Sequence, residues 1–310
     1  MSGTRLPVTV IGGYLGTGKT TLVNRLLRAA EGRKLAVLVN DFGTTPIDRD
    51  LIVSSSGDTL EISGGCVCCS YGSDLMDTLM ALPTQRPDIE RVVLETSGVA
   101  LPGMVASAVT LLVPYRIDGI VVMVDVETVR TMAEDAYLGD TITRQLGAAD
   151  LVVANRCDLV DRTSLQETLA WLALQSPAAR ILPATRADIA PDLLLGLRDG
   201  APARLSATLT TPGAPDAASL YDSLELEVPD GIDVADLGRR LSAPATGVLR
   251  AKGILNEVAL HVVGQRFEID AAPAGSTSGR LVVIGLRARL DRHAVEQALQ
   301  PRLSTSLRSG

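Results

Sequence analysis

The sequence predicts a doubly wound, mostly parallel α/β domain followed by a smaller α+β domain. Three observations carry this. Over residues 1 to about 200, short runs that are apolar on both faces alternate with helix-length stretches, the pattern of parallel strands covered by helices on either side. The first such junction holds a glycine-rich turn. Beyond an aperiodic stretch rich in Ala, Thr, Pro and Gly, strand-like and helical segments return in a different, mixed order.

The strand-like runs are LPVTVI (6–11), LAVLV (35–39), RVVLE (91–95), GIVVMVD (119–125) and LVVAN (151–155), with a weaker RILPA (180–184). Helices are expected over 20–30, 73–81, 103–112, 126–146 in one or two pieces, and 162–175. The first domain is placed at 1–202 and a linker at 203–219, inside APARLSATLTTPGAPDAAS. The second domain, 220–310, has strand-like YDSLELEVPD, VLRAKGILN, EVALHVVGQRFEI and RLVVIGLRA and helical VADLGRRLS and RHAVEQALQ. The tail STSLRSG reads as disordered, and no internal repeat is present.

Composition narrows the function. Apolar residues are 46% of the 310 and aromatics only 3%, so the core must be aliphatic. A net charge of −7 argues against nucleic acid as the main partner. No segment approaches the roughly 20 apolar residues of a membrane span, and the apolar run of MSGTRLPVTVIGG is too short for a signal-peptide core. A cytoplasmic chain is expected, without membrane partners. Four cysteines in such a chain are metal ligands or redox groups rather than a disulfide framework.

GYLGTGKT (13–20) follows a strand and opens a helix, the context of a phosphate-binding loop. Gly13, Gly16 and Gly18 let the backbone turn its N–H groups toward phosphates. The helix starting near Lys19 offers unpaired N–H groups and a positive dipole end. Lys19 reaches the β- and γ-phosphates and the Thr20 hydroxyl is placed for Mg²⁺.

VVANRCDL (152–159) ends the fifth strand with Asn155 and Asp158 in N-x-x-D spacing. A carboxylate there accepts from guanine N1–H and the 2-amino group, which adenine lacks. Asn155 either ties the loop together or touches the base edge. Arg156 lays its stem or planar head over a purine. The same residues also suit a plain strand-end turn.

NDFG (40–43) and ETSG (95–98) follow the second and third strands, bordering the ligand crevice of a doubly wound sheet. Glu95 sits where an acid holds Mg²⁺, Gly98 can offer its N–H to the γ-phosphate, and Asp41 can reach the metal or the attacking water. Each carboxylate could instead be a solvated loop residue or helix cap.

EISGGCVCCS (61–70) lies between those two loops and holds Cys66, Cys68 and Cys69. Thiolates are soft ligands for Zn²⁺, Cu⁺ and similar ions. A structural zinc cage wants two separated pairs, and here there is one cluster, which suits transient binding.

Together, GGYLGTGKTTL, NDFG, EISGGCVCC, ETSG, QLGAADLVVANRCDL, LRAKGI and LVVIG resemble the CobW family of P-loop GTPases, metal chaperones and insertases with relatives that activate nitrile hydratase. The resemblance spans nearly the whole chain. It implies a GTPase domain with a small C-terminal α/β domain, with GTP and Mg²⁺ bound and Zn²⁺ or Co²⁺ as cargo. It places phosphates at Gly13 to Thr21, including Leu15, Thr17 and Thr21, and guanine at Asn155 and Asp158 with Arg156 between. Cys66, Cys68 and Cys69 would be the transfer site, with Glu61 a weaker addition. The partner implied is a client metalloprotein, with a homo-oligomer allowed.

The chain departs from the family pattern at three points. Asp41 replaces a Glu, shortening reach by about 1.5 Å. Thr44 stands where a further Glu is common, and Leu101 where an Asp often precedes the proline. His261 and His293 read as ordinary strand or surface residues and Cys157 as a packed thiol. The expected mechanism is a slow GTPase, with Lys19, Asp41 and Glu95 at its centre, whose GTP state gathers the cysteines and whose hydrolysis releases the metal. The alternative is a nucleotide-dependent redox-sensing switch using the same thiols. A small-molecule kinase is a third reading.

Overall fold

The computed structural model describes residues 5–30, 33–39, 73–195, 221–272 and 279–300. Its first sheet has six parallel strands in the order β2-β3-β1-β4-β5-β6. These are β1 (Leu6–Gly12), β2 (Leu35–Val39), β3 (Arg91–Glu95), β4 (Tyr115–Asp125), β5 (Leu151–Asn155) and β6 (Arg180–Pro183). Helices α1 (Lys19–Arg28), α2 (Ser73–Gln85), α3 (Pro102–Thr110), α4 (Val129–Glu134), α5 (Gly139–Gly147), α6 (Arg162–Gln175) and α7 (Pro191–Leu195) connect or follow them.

Strand alternation assigns the faces. Ile11, Val93, Val121, Met123 and Val153 join Leu22, Val23 and Leu26 of α1 in one core. Val8, Val10, Val92 and Leu94 point the other way, onto Leu79 and Leu82 of α2 and Val105 and Val109 of α3. Val122, Val124 and Val152 continue that second face under α5 and α6. Both faces are covered, which is why these strands read as unbroken apolar runs.

The second sheet is antiparallel, in the order β10-β9-β8-β11-β7. Its strands are β7 (Tyr221–Glu227), β8 (Val248–Leu255), β9 (Val258–Val263), β10 (Arg266–Ala271) and β11 (Arg280–Leu286), with helices α8 (Val234–Ser242) and α9 (Arg292–Ala298) on one face. The other face meets the first sheet: Tyr221, Leu249, Val263 and Ile284 belong to the same core as α1.

Two elements differ from expectation. The segment EVALHVVGQRFEI is a hairpin, β9 to β10, turning at Gly264 with φ 60. β4 begins at Tyr115 rather than 119. Its first half, YRIDG, hides from a hydrophobicity reading because Arg116 and Asp118 are charged, yet both are buried and paired: Asp118 accepts from Arg91, Arg116 and Arg250. The expected linker and tail lie outside the described residues.

His261 on β9 is buried beside this charge cluster. Burial, with Arg116, Lys252 and Arg250 near, drives its pKa down to about 2, against a weaker pull from Asp118. The folded protein therefore keeps the imidazole neutral, while the unfolded chain protonates near pH 6.5. Stability must fall as pH drops below that value. Between pH 6.5 and 5 this one group costs about 2 kcal/mol. Chemical denaturation at the two pH values should show that loss in the wild type and a smaller one in His261→Gln.

Candidate functional site

The strand register puts three loops together. Ile11 pairs with Glu95 across β1 and β3, and Asp125 with Asn155 across β4 and β5. The turns after these strands therefore open at one edge of the sheet, the crevice side of an open parallel sheet.

The turn between β1 and α1 takes positive φ at Gly13, Gly16 and Gly18. At Gly13 a Cβ would lie 2.2 Å from the Met123 carbonyl oxygen, so no side chain fits there. α1 starts with neither a side-chain cap nor an acidic residue in its first turn. By contrast α6, α8 and α9 are capped by Asp161, Asp233 and Asp291. α3 and α4 also start without a cap or an acidic residue, but α1 opens directly from the glycine-rich turn at Gly18, where its first N–H groups are open to an anion.

Lys19 is buried, and its Nζ donates to the carbonyls of Gly13 at 2.9 Å and Tyr14 at 3.1 Å. The ammonium sits over the centre of the turn. Thr17 Oγ1 donates to Tyr14 O at 2.9 Å and closes the turn from within. Thr20 Oγ1 donates to Glu95 Oε1 at 3.2 Å. A hydroxyl and a buried carboxylate side by side form an oxygen-only donor pair, which suits a hard cation such as Mg²⁺.

Asn155 is buried and spends both ends of its amide on backbone. Nδ2 donates to Thr17 O at 2.9 Å, and Oδ1 accepts from Ala187 N at 2.8 Å. Of its two sequence readings, the geometry carries the tie between loops. The guanidinium of Arg156 is held by Asp125 at 2.6 Å and by the Gly16 carbonyl at 2.9 Å, so of its stem and planar head the stem is the part left to lie over a purine. The largely buried carboxylate of Asp125 needs a counter-charge, and Arg156 in a left-handed backbone turn (φ 65) supplies it. Asp158 is exposed on the short 3₁₀ turn that follows. Cys157 is half-buried, donates to Ala154 O, and burial pushes its thiol pKa up, as a packed thiol should behave.

The turn after β3 runs Thr96-Ser97-Gly98. Thr96 N donates to Ile11 O at 2.8 Å, and buried Gln145 on α5 donates to the carbonyls of Gly98 and Ala100. Leu15 is exposed at the crown of the phosphate loop, beside Gly98. Thr21 lies in the first turn of α1, exposed.

Sequence reasoning missed Asp125, Gln145 and Ala187. Only Asp125 carried a signal, as a carboxylate closing a strand whose neighbours end in site loops. Asp41, Thr44, Glu61, Cys66, Cys68 and Cys69 lie outside the described residues. Among the described residues, no group of three or more His, Cys, Asp or Glu is placed to hold a metal ion. Leu101 starts α3 without a side-chain cap, ahead of Pro102.

Residues 7–183 match the CobW/HypB/UreG nucleotide-binding domain family, and residues 221–303 the cobalamin synthesis protein CobW C-terminal domain. The chain belongs to the CobW/HypB/UreG family. It is 31% identical to a protein named zinc chaperone CobW from Pseudomonas aeruginosa, over 62% of this chain and 60% of that protein. A Sinorhizobium protein of the same name is 28% identical over 95% of this chain and 96% of its own. Zinc chaperone YjiA of Escherichia coli is 29% identical over 81% of each. The crystal structure of Zn(II)-bound YjiA GTPase from E. coli covers 96% of this chain and 100% of its own at 22% identity, with a TM-score of 0.48.

In this CobW-family chain the tie made by Asn155 is open to a direct check. Asn155→Ala leaves the Thr17 carbonyl and the Ala187 N–H without that partner, at a cost of about 1–3 kcal/mol. Asp158→Ala, on the exposed turn, should stay within about 0.5 kcal/mol of wild type. Equilibrium unfolding of the two variants separates the inter-loop tie from the exposed carboxylate.

Proposed function

We propose that this chain is a GTP-hydrolysing metallochaperone that binds Zn²⁺ or Co²⁺ through Cys66, Cys68 and Cys69 and delivers it to a client metalloprotein. The observation that carries this is the convergence of buried Lys19, the uncapped start of α1 and the Thr20–Glu95 pair beneath one glycine-rich turn. Family membership and relatives named zinc chaperones support it. Among the described residues no helix is long and apolar enough to cross a membrane; the cytoplasmic setting is part of the proposal.

In this reading, the backbone from Gly13 to Gly18, with Leu15 and Thr17 at its crown, surrounds the phosphates. Lys19 exchanges its carbonyl partners for the β- and γ-phosphates, which are stronger acceptors. Thr20 and Thr21 open the helix at the α- and β-phosphates. Thr20 and Glu95 would hold Mg²⁺, which neutralises charge developing on the phosphates. The Gly98 N–H meets the γ-phosphate. Asp158 reads the guanine edge, while Asn155 and Arg156 brace the loop that carries it. Asp41 orients the attacking water. A homo-oligomer is allowed, and the domain division at 203–219 is kept as proposed.

The cysteines stand between the Asp41 and Glu95 loops in the sequence, with Glu61 beside them. Ordering both loops around GTP then gathers the thiols, and hydrolysis lets them part. Metal affinity is high with GTP and low with GDP, and by linkage metal tightens GTP binding by the same factor.

Two measurements test the proposal. Competitive metal titration of the reduced protein should give tighter Zn²⁺ or Co²⁺ binding with a non-hydrolysable GTP analogue than with GDP. Equal affinities in the two states would sink the coupling, and a GTPase rate that follows thiol oxidation with no metal bound would point to a redox switch. Separately, Lys19→Ala should lower the GTPase rate constant by at least about 100-fold. An unchanged rate would remove the phosphate loop from the chemistry.

A further inference from the structure

We propose that Gln145 is a positioning residue for the γ-phosphate contact, acting through the peptide backbone around Gly98; this rests on the GTPase reading above. The side chain is 1% exposed and comes from α5, not from any loop that borders the crevice. Its single amide nitrogen donates to two carbonyls of one turn, Gly98 O at 3.0 Å and Ala100 O at 2.8 Å. A primary amide has two N–H donors, and here both are spent on that turn. Neither an apolar nor a carboxylate side chain of the same length can do this.

The turn is otherwise lightly held. It is closed by Ala100 N to Ser97 O at 3.1 Å, and its entry is tied by Thr96 N to Ile11 O at 2.8 Å. Its far side rests on the phosphate loop. A Cβ at Gly98 would stand 2.5 Å from Leu15 Cδ2 and 2.8 Å from the Leu15 backbone nitrogen. The Gly98 backbone is therefore pressed against the crown of the phosphate loop and held from behind by Gln145. The Gly98 N–H belongs to the Ser97–Gly98 peptide, whose carbonyl accepts from Ala100 N. Gln145 holds the next peptide, Gly98–Val99, together with Ala100 O, and so steadies that N–H through the turn rather than directly.

α5 is itself a firm anchor. Ile142 and Leu146 lie in the aliphatic core of that face, and Ser176 Oγ donates to Leu146 O at 3.0 Å. Three residues after α5 the chain enters β5, which ends at Asn155. A fixed helix thus sets the height of the Gly98 turn above the phosphate loop.

The consequence separates the two nucleotides. Only GTP carries the phosphate that the Gly98 N–H would meet, so loss of Gln145 acts on GTP and on catalysis while sparing GDP. The experiment uses the full chain with Gln145→Met, which keeps length and drops the donor, and Gln145→Leu as a second variant should the first not fold. GDP and a non-hydrolysable GTP analogue are titrated, and kcat and KM are measured with GTP.

The expected result is an analogue affinity and a kcat each lowered by about tenfold or more, with GDP affinity within about threefold of wild type. A variant that melts earlier yet keeps the wild-type ratio of analogue to GDP affinity, and its kcat, makes Gln145 a packing residue only and overturns the inference. A wild-type protein that binds neither nucleotide overturns the GTPase reading, and this inference with it. A wild type that binds both while the variant keeps their ratio overturns this inference alone.

Discussion

One buried carboxylate holds the two sheets in register. Asp118, on β4, accepts from Arg91 of β3, Arg116 of its own strand and Arg250 of β8. Burial alone would push its pKa up, but the guanidiniums of Arg250, Arg91 and Arg116 outweigh that and hold it well below the usual carboxylate range. A charge so deep is tolerable only while its partners stay in place, since removing one side of such a group costs about 3–5 kcal/mol. Arg116 also pairs with Asp270 at 3.1 Å, and Arg266 with Asp150 and Glu268. The charges are paired both within each sheet and across the junction, which Arg250–Asp118, Arg116–Asp270 and Arg266–Asp150 bridge. Placing β8 and β10 over β4 is what allows β4 to carry charges at all.

That junction lies at the opposite end of β4 from the candidate site. β4 runs from the Asp118 cluster to Asp125, which holds Arg156 against the phosphate loop. The middle of the strand, Val121 to Val124, is apolar on both faces and buried. One rigid strand therefore spans the distance between the charge cluster and the base loop. The site itself is built from strand ends, where backbone groups no longer pair with the sheet and are available to loops.

Much of this was legible in the residues. The six parallel strands appear as apolar runs because both faces are covered, and six of the seven helices that go with them, all but α7, follow from strand spacing and periodicity. The phosphate loop was readable because its glycines have no substitute: Gly13 leaves no room for a Cβ. What escaped reading was polar and long-range. YRIDG extends β4 beyond the apolar run that marks it in the sequence, since nothing local says that Arg91 and Arg250 neutralise Asp118. Gln145 looked like any helical glutamine, because its partners lie 45 and 47 positions away in the chain. The Arg156 guanidinium is taken by Asp125, 31 positions away in the chain, a pairing that nothing local announces.

The segment after β6 shows how such long-range contacts add up. Ala187 N is held by Asn155, and Asp188 pairs with Arg25 of α1 at 3.0 Å. A few residues on, Asp192 pairs with Arg33, Leu194 O accepts from Thr9 of β1, and Leu193 O accepts from Arg250 of β8. Within nine residues the chain is tied to the base loop, to the helix that opens under the phosphate loop, to the central strand and to the second sheet. Arg186 and Ala187 both take left-handed backbone angles, φ 52 and 55, which non-glycine residues adopt only where surrounding contacts enforce it. Those contacts are the ones just named. A shift of Asn155 or of α1 would act directly on a segment that also grips Arg250, and Arg250 is one of the three cations on Asp118. The base loop and the charge cluster are therefore parts of one connected scaffold, joined by β4 on one route and by residues 187–195 on the other.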